Sequence, residues 1–204
     1  MSRLLAAATL GLASSLVWAV GAQAASTPAS VDAKRLRSAA QEPANWMTHG
    51  GTYQEQRFSR LDQIDQDNVD ELGLAWSYRL DIDRGVEATP IVVDGVMYPT
   101  SAFSIVYAFD AASGKLLWKY DPKVAKTAAR DGCCGPVNRG VAVWNGKVFV
   151  GAFDGRLIAL DAETGDEVWR VNTLIDDERS QTITGAPRVV KGRVIIGNGG
   201  AEMG

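Results

Sequence analysis

The sequence predicts an all-β chain laid out as blades of a β-propeller, and three observations carry that expectation. The block Val106–Trp118 recurs as Leu157–Trp169, with Ala108/Ala159, Asp110/Asp161, Ala111/Ala162, Gly114/Gly165 and Trp118/Trp169 in register at a spacing of 51 residues. A hairpin signature precedes each block, Ile91–Tyr98 and Val141–Val150, with Asp94-Gly95 and Asn145-Gly146 as turn residues that tolerate positive φ. The same hairpin pattern returns at Pro187–Ile196. Each repeat therefore offers four short strands: two in the hairpin, a third closing on Asp110 or Asp161, and a fourth closing on Trp118 or Trp169. Four strands in about 40 to 50 residues is the content of one propeller blade.

Taken from the N-terminus, residues 1–24 read as a secretory signal peptide: Arg3 is the sole charge, Leu4–Val20 is apolar, and Ala22-Gln-Ala24 offers small residues for cleavage. Residues 25–45, rich in Ala, Ser and Pro, read as an irregular leader before a fold that begins near Trp46. Leu72–Leu80, with Trp76, looks like the end of a preceding blade. Trp118 and Trp169 are expected to pack between blades, since an indole buries a large apolar area and needs one hydrogen-bond partner. Residues 46–204 are expected to be the N-terminal portion, about two to three blades, of a longer propeller, because a ring takes typically four or more.

Composition narrows the partners. With 24 acidic against 21 basic residues, a net charge of -3 and 46% hydrophobic residues, the chain is an ordinary globular one with no basic stripe for nucleic acid. Export would place it in an oxidising compartment, the periplasm, where cysteines pair.

The two cysteines, Cys133 and Cys134, are adjacent within Asp131-Gly-Cys-Cys-Gly-Pro-Val-Asn-Arg-Gly140. Neighbouring Cα atoms lie ~3.8 Å apart, below the usual disulfide span, so a bond between them closes a small strained ring. Such a ring bridges no loop and has almost no entropic stabilising effect. Two cysteines alone are also too few for a zinc site. The pair reads as part of a site. His49, the only histidine, sits in Thr-His-Gly-Gly and reads as a structural or solvated loop residue. Asp62, Asp65, Asp67 and Asp70 lack the central Gly and terminal Glu of an EF-hand and read as a solvated turn with a helix cap.

The signal peptide, the Trp-bearing repeat and Cys133-Cys134 ahead of Asn138-Arg139-Gly140 together resemble the quinoprotein alcohol dehydrogenases, which use pyrroloquinoline quinone (PQQ). Further matching stretches are Trp46–Gly51, Arg57–Asp62, Val86–Pro90, Thr182–Pro187 and Gly197–Gly204, in that order along the chain. The resemblance implies an eight-bladed propeller holding PQQ near its axis. Cys133 and Cys134 would form a vicinal disulfide that floors the cofactor pocket. Glu87 would contact a PQQ carboxyl group, Arg139 would pair with a cofactor carboxylate through its planar fork, and Thr184 would hydrogen-bond the cofactor, with Thr182 facing elsewhere. Gly200 and Ala201 match small residues where backbone passes close to PQQ. Glu202 matches a Ca²⁺ ligand, with a lanthanide left open. Gly199 stands where methanol dehydrogenases of the family carry serine, which favours the broader alcohol dehydrogenases.

The activity so implied is oxidation of a primary alcohol to an aldehyde, with PQQ accepting the hydride, the metal acting as a Lewis acid and electrons passing to a cytochrome c. The catalytic base and remaining metal ligands are expected downstream of Gly204, so the 204 residues alone are expected to be inactive. Two rivals share the repeat. A non-catalytic scaffold propeller of the cell envelope would carry the Ala-x-x-Gly-x-x-x-Trp pattern without Cys133-Cys134, Arg139 and Glu202, and a PQQ enzyme acting on sugars would lack the adjacent cysteines.

Overall fold

The computed structural model describes residues 27–132, 134–175 and 180–199. Their main elements are a short helix, α1 (Ala33–Arg37), and ten strands. Strands β1 (Ile91–Val93), β2 (Val96–Tyr98), β3 (Val106–Asp110) and β4 (Leu116–Tyr120) form one antiparallel sheet in chain order. Strands β5 (Ala142–Trp144), β6 (Lys147–Gly151), β7 (Arg156–Asp161) and β8 (Glu167–Asn172) form a second of identical topology, and β9 (Arg188–Val190) pairs with β10 (Arg193–Ile195). The expected all-β blades are thus present: two complete sheets and the hairpin of a third.

Backbone geometry repeats as the sequence does. Each hairpin turns on two positive-φ residues: Asp94 and Gly95, Asn145 and Gly146, Lys191 and Gly192. This geometry suits right-handed strand twist. The register shifts once in each sheet at equivalent places, between Ala108 and Phe109 and between Ala159 and Leu160. In one respect the strands differ from expectation. Trp118 and Trp169 sit inside β4 and β8 rather than at their ends, because the ladder continues to Val106↔Tyr120 and Arg156↔Asn172.

Trp118 packs against the Ala-x-x-Gly turn of the next blade. Its Nε1 donates to Ala162 O at 3.0 Å, and a Cβ on Gly165 (φ +78) would lie 2.6 Å from the indole. Trp76 repeats the contact one blade earlier, donating to Ala111 O at 3.1 Å over Gly114 (φ +71). Residues 72–80 form no regular strand, yet this docking places them as the outer edge of a blade before β1. Only glycine meets both demands of these turns, positive φ and contact with a ring.

Residues 27–45, expected as an irregular leader, join the same core. Ala29, Val31, Leu36 and Ala39 are buried among Ile91, Val93, Val143, Val148 and Ile158. Val31 O and Ala29 O accept from the N–H groups of Asn145 and Gly146, and Arg35 pairs with both Asp94 and Glu42. The leader therefore clasps the turns of two neighbouring hairpins. The aspartate-rich stretch forms the local turn expected of it: Asp65 Oδ1 accepts from Asp67 N–H at 2.8 Å, ahead of a single 3₁₀ turn at Val69–Glu71.

Candidate functional site

Three of the expected site residues, Glu87, Arg139 and Thr184, lie in the stretches just before β1, β5 and β9. Arg139 N–H donates to Thr184 O at 2.9 Å, and Thr89 N–H donates to Arg139 O at 3.3 Å, so backbone links the stretches before β1, β5 and β9. Side chains meet at the same place. Arg139 Nη1 donates to Thr184 Oγ1 at 2.8 Å, and its Nη2 lies 3.1 Å from Glu87 Oε2. The Arg139 and Glu87 side chains remain 45% and 44% exposed, so the cluster presents an open polar face. Glu87, Arg139 and Thr184, distant in sequence, are thus brought together. Thr182 is buried, whereas Thr184 is only half-buried.

Directly behind Arg139 lies Asn138, 1% exposed, whose importance the sequence reading missed. Its Oδ1 accepts from Thr100 Oγ1 at 2.7 Å and from Gly140 N–H at 3.0 Å; its Nδ2 donates to Ser104 Oγ at 3.0 Å and Gly151 O at 2.9 Å. All four hydrogen bonds open to an amide side chain are made. Ser104 Oγ also accepts from Phe153 N–H at 3.0 Å, tying both complete blades to the segment that ends in Arg139. Gly140, at φ +122, completes the arrangement, since a Cβ there would lie 2.9 Å from Thr89 O.

The cysteine loop is held at both ends. A Cβ on Gly132 would lie 2.7 Å from the Phe153 ring and 3.7 Å from Thr182 Cγ2, while Pro136 O accepts from Phe103 N–H at 2.8 Å. Gly132 therefore faces Thr182 as Arg139 faces Thr184. Cys134 is exposed and disulfide-bonded. Cys133 lies outside the described residues, as do Gly200, Ala201, Glu202 and residues 1–24, the stretch expected to be a signal peptide. Gly199, the last described residue, pairs with Thr182 through hydrogen bonds of 2.8 and 2.9 Å. Among the described residues no helix is long and apolar enough to cross a membrane.

His49 is part-buried rather than solvated, ringed by Arg57, Glu55, Arg188 and Thr89. Burial, reinforced by the positive charges of Arg188 and Arg57, holds its pKa below the usual histidine value.

Comparison with known proteins places the fold in a family. The family profile for the glucose/ethanol/alcohol dehydrogenase β-propeller domain matches residues 46–202. The quinohemoprotein alcohol dehydrogenase ADH-IIG of Pseudomonas putida is 63% identical over 183 residues, which are 90% of this chain and 26% of that protein. Its solved structure superposes with a TM-score of 0.86 over 88% of this chain and 26% of that one. A 1-butanol dehydrogenase (cytochrome c) of Thauera butanivorans is 62% identical over 159 residues, 78% of this chain and 23% of that protein. A europium-containing methanol dehydrogenase superposes with a TM-score of 0.77 at 41% identity, covering 82% of this chain and 29% of that one. The chain spans about a quarter of the length of the curated relatives it matches. With the profile covering most of the 204 residues, the chain belongs to the glucose/ethanol/alcohol dehydrogenase β-propeller family.

Proposed function

We propose that this chain forms one wall of a PQQ pocket, and that the whole protein oxidises primary alcohols to aldehydes in the periplasm and passes electrons to a cytochrome c. The observation that carries this reading is the meeting of a carboxylate, a guanidinium and a hydroxyl from the stretches before β1, β5 and β9 at Glu87, Arg139 and Thr184. Names among the relatives, quinohemoprotein alcohol dehydrogenase and 1-butanol dehydrogenase (cytochrome c), support the substrate class and the acceptor.

The donor set suits a flat polycarboxylate. One of Arg139's N–H groups donates to Thr184, Glu87 pairs with the guanidinium by charge, and nearly half of the side chain faces outward, leaving room for an anion to be held by the same planar fork. Thr184 supplies a hydroxyl that orients the bound carboxylate, and Glu87 fixes the guanidinium from the other side. Cys133 and Cys134, joined as a vicinal disulfide, give a rigid apolar face against which a planar ring stacks and from which water is excluded. Gly200 and Ala201 let backbone approach the ring. Glu202, three residues beyond the Gly199–Thr182 pairing, offers carboxylate oxygen to Ca²⁺ or a lanthanide, hard cations that seek such donors. When bound, PQQ supplies the two-electron acceptor and the metal a Lewis acid. By this reading the 204 residues by themselves provide binding groups and no turnover.

The test uses the whole protein with Cys133→Ala and Cys134→Ala together. Alcohol oxidation at saturating PQQ is expected to fall about tenfold or more, the scale on which lost positioning acts. Undiminished turnover would remove the pair from the pocket.

A further inference from the structure

His49 stands one layer behind the proposed pocket, and its surroundings are built with care. Glu55 and Arg57, both of which approach the imidazole, adopt positive φ of 54° without being glycine. Each such residue costs on the order of 1 kcal/mol and persists only where its surroundings over-determine it. Gly50 permits the turn, since a Cβ there would lie 2.5 Å from the Glu55 Cα. The turn is closed by Arg57 N–H donating to Gly50 O at 3.0 Å, and Arg188 at the start of β9 reaches Glu55 at 3.6 Å.

The contacts define the imidazole's chemistry. Arg57 Nη2 is 3.0 Å from His49 Nδ1, against 3.4 Å from Nε2. A guanidinium has no acceptor, so the shorter contact favours the lone pair on Nδ1 and the proton on Nε2. Nε2–H then donates to Thr89 Oγ1 at 3.1 Å. Glu55 Oε2, at 3.8 Å from Nδ1, is too far to compete. Thr89 is the residue whose N–H holds Arg139 O, and it lies two positions after Glu87.

We propose that His49 is a positioning residue for the pocket: a neutral imidazole in the Nε2–H tautomer, oriented by Arg57, that locks Thr89 and through it the registration of Glu87 against Arg139. This rests on the PQQ-pocket reading above. The depressed pKa agrees with a neutral ring, given the facing Arg57 and Arg188 and the single opposing carboxylate of Glu55.

Two measurements on the whole protein test it. With ¹⁵N-histidine labelling, and His49→Gln used to assign the signal, the imidazole is expected to be singly protonated on Nε2 at neutral pH, with Nδ1 bare. A proton on Nδ1, alone or together with Nε2, overturns the proposal. In PQQ titrations of the apoprotein followed by tryptophan fluorescence, His49→Ala is expected to raise the Kd about tenfold, the lower end of what lost supporting contacts do to a bound group. His49→Gln, whose amide can donate to Thr89 and accept from Arg57, is expected to restore affinity. An unchanged Kd in His49→Ala, or a loss that glutamine does not rescue, overturns the positioning role. Arg139→Ala run in parallel separates the two failures: if it too leaves the Kd unchanged, the pocket reading falls, whereas a loss confined to Arg139→Ala overturns His49 alone.

Discussion

Replacing Asn138 by leucine is expected to destabilise the protein by about 3 kcal/mol or more, because it strands buried polar groups at one stroke and places a bulkier side chain in a buried site. Gly140 N–H, Gly151 O and the hydroxyls of Thr100 and Ser104 would all lose a partner. Thermal or denaturant unfolding measures the loss. Asn138→Asp sharpens the test, because its second oxygen would face Gly151 O, acceptor against acceptor, unless it carries a proton. Burial and that carbonyl would raise the folded-state pKa above the value of about 3.9 for an unfolded aspartate. The native state would then bind more protons than the unfolded state above that pH. Stability relative to wild type would consequently fall as pH rises through the window between the unfolded and folded values, and recover on acidification. A pH-independent difference between Asn138→Asp and wild type would contradict the hub geometry.

Arg139→Ala has the opposite profile. Its pairs are close to half exposed, and such surface ion pairs contribute only about 0 to 1 kcal/mol, so unfolding should scarcely change. Affinity for PQQ in the whole protein is nevertheless expected to drop by on the order of 100-fold, the equivalent of one or two charge-assisted hydrogen bonds at about 1.5 to 3 kcal/mol each. Arg139→Lys should recover only part of this, since an ammonium is a point charge and cannot take a carboxylate with a planar fork. Fluorescence or calorimetric titration of the apoprotein decides it, and an unaltered Kd in Arg139→Ala would remove the guanidinium from the pocket. These outcomes would separate two sequence neighbours, Asn138 acting on folding and Arg139 on ligand binding.

The blades were legible because their signals are local. Alternating apolar residues, a Gly at each hairpin turn and a Trp in the outer strand of each repeat place β1 to β8 with little help from distant residues. Glu87, Arg139 and Thr184 could be named individually from a resemblance, but their convergence depends on how the stretches before β1, β5 and β9 align, which no local pattern encodes. Asn138 was visible beside Arg139, yet its four partners come from Thr100, Ser104, Gly140 and Gly151. Phe103 and Ser104 take positive φ, a backbone choice that neither residue type announces. The buried side of residues 27–45 is hard to read for a related reason: Ala29, Val31, Leu36 and Ala39 are small or scattered in an Ala-, Ser- and Pro-rich stretch. Their burial arises from the surface that the hairpins offer them. His49 was set apart from chemistry by its loop setting, whereas its partners Arg57, Thr89 and Arg188 appear only in the fold.

A crystal structure of the whole protein with PQQ bound addresses the central claim most directly. The Arg139 guanidinium is expected within hydrogen-bond distance of a PQQ carboxylate, with Thr184 Oγ1 on the same ligand and the quinone ring lying on the joined Cys133–Cys134 pair. PQQ bound elsewhere, with Arg139 still engaged only by Glu87 and Thr184, would contradict it.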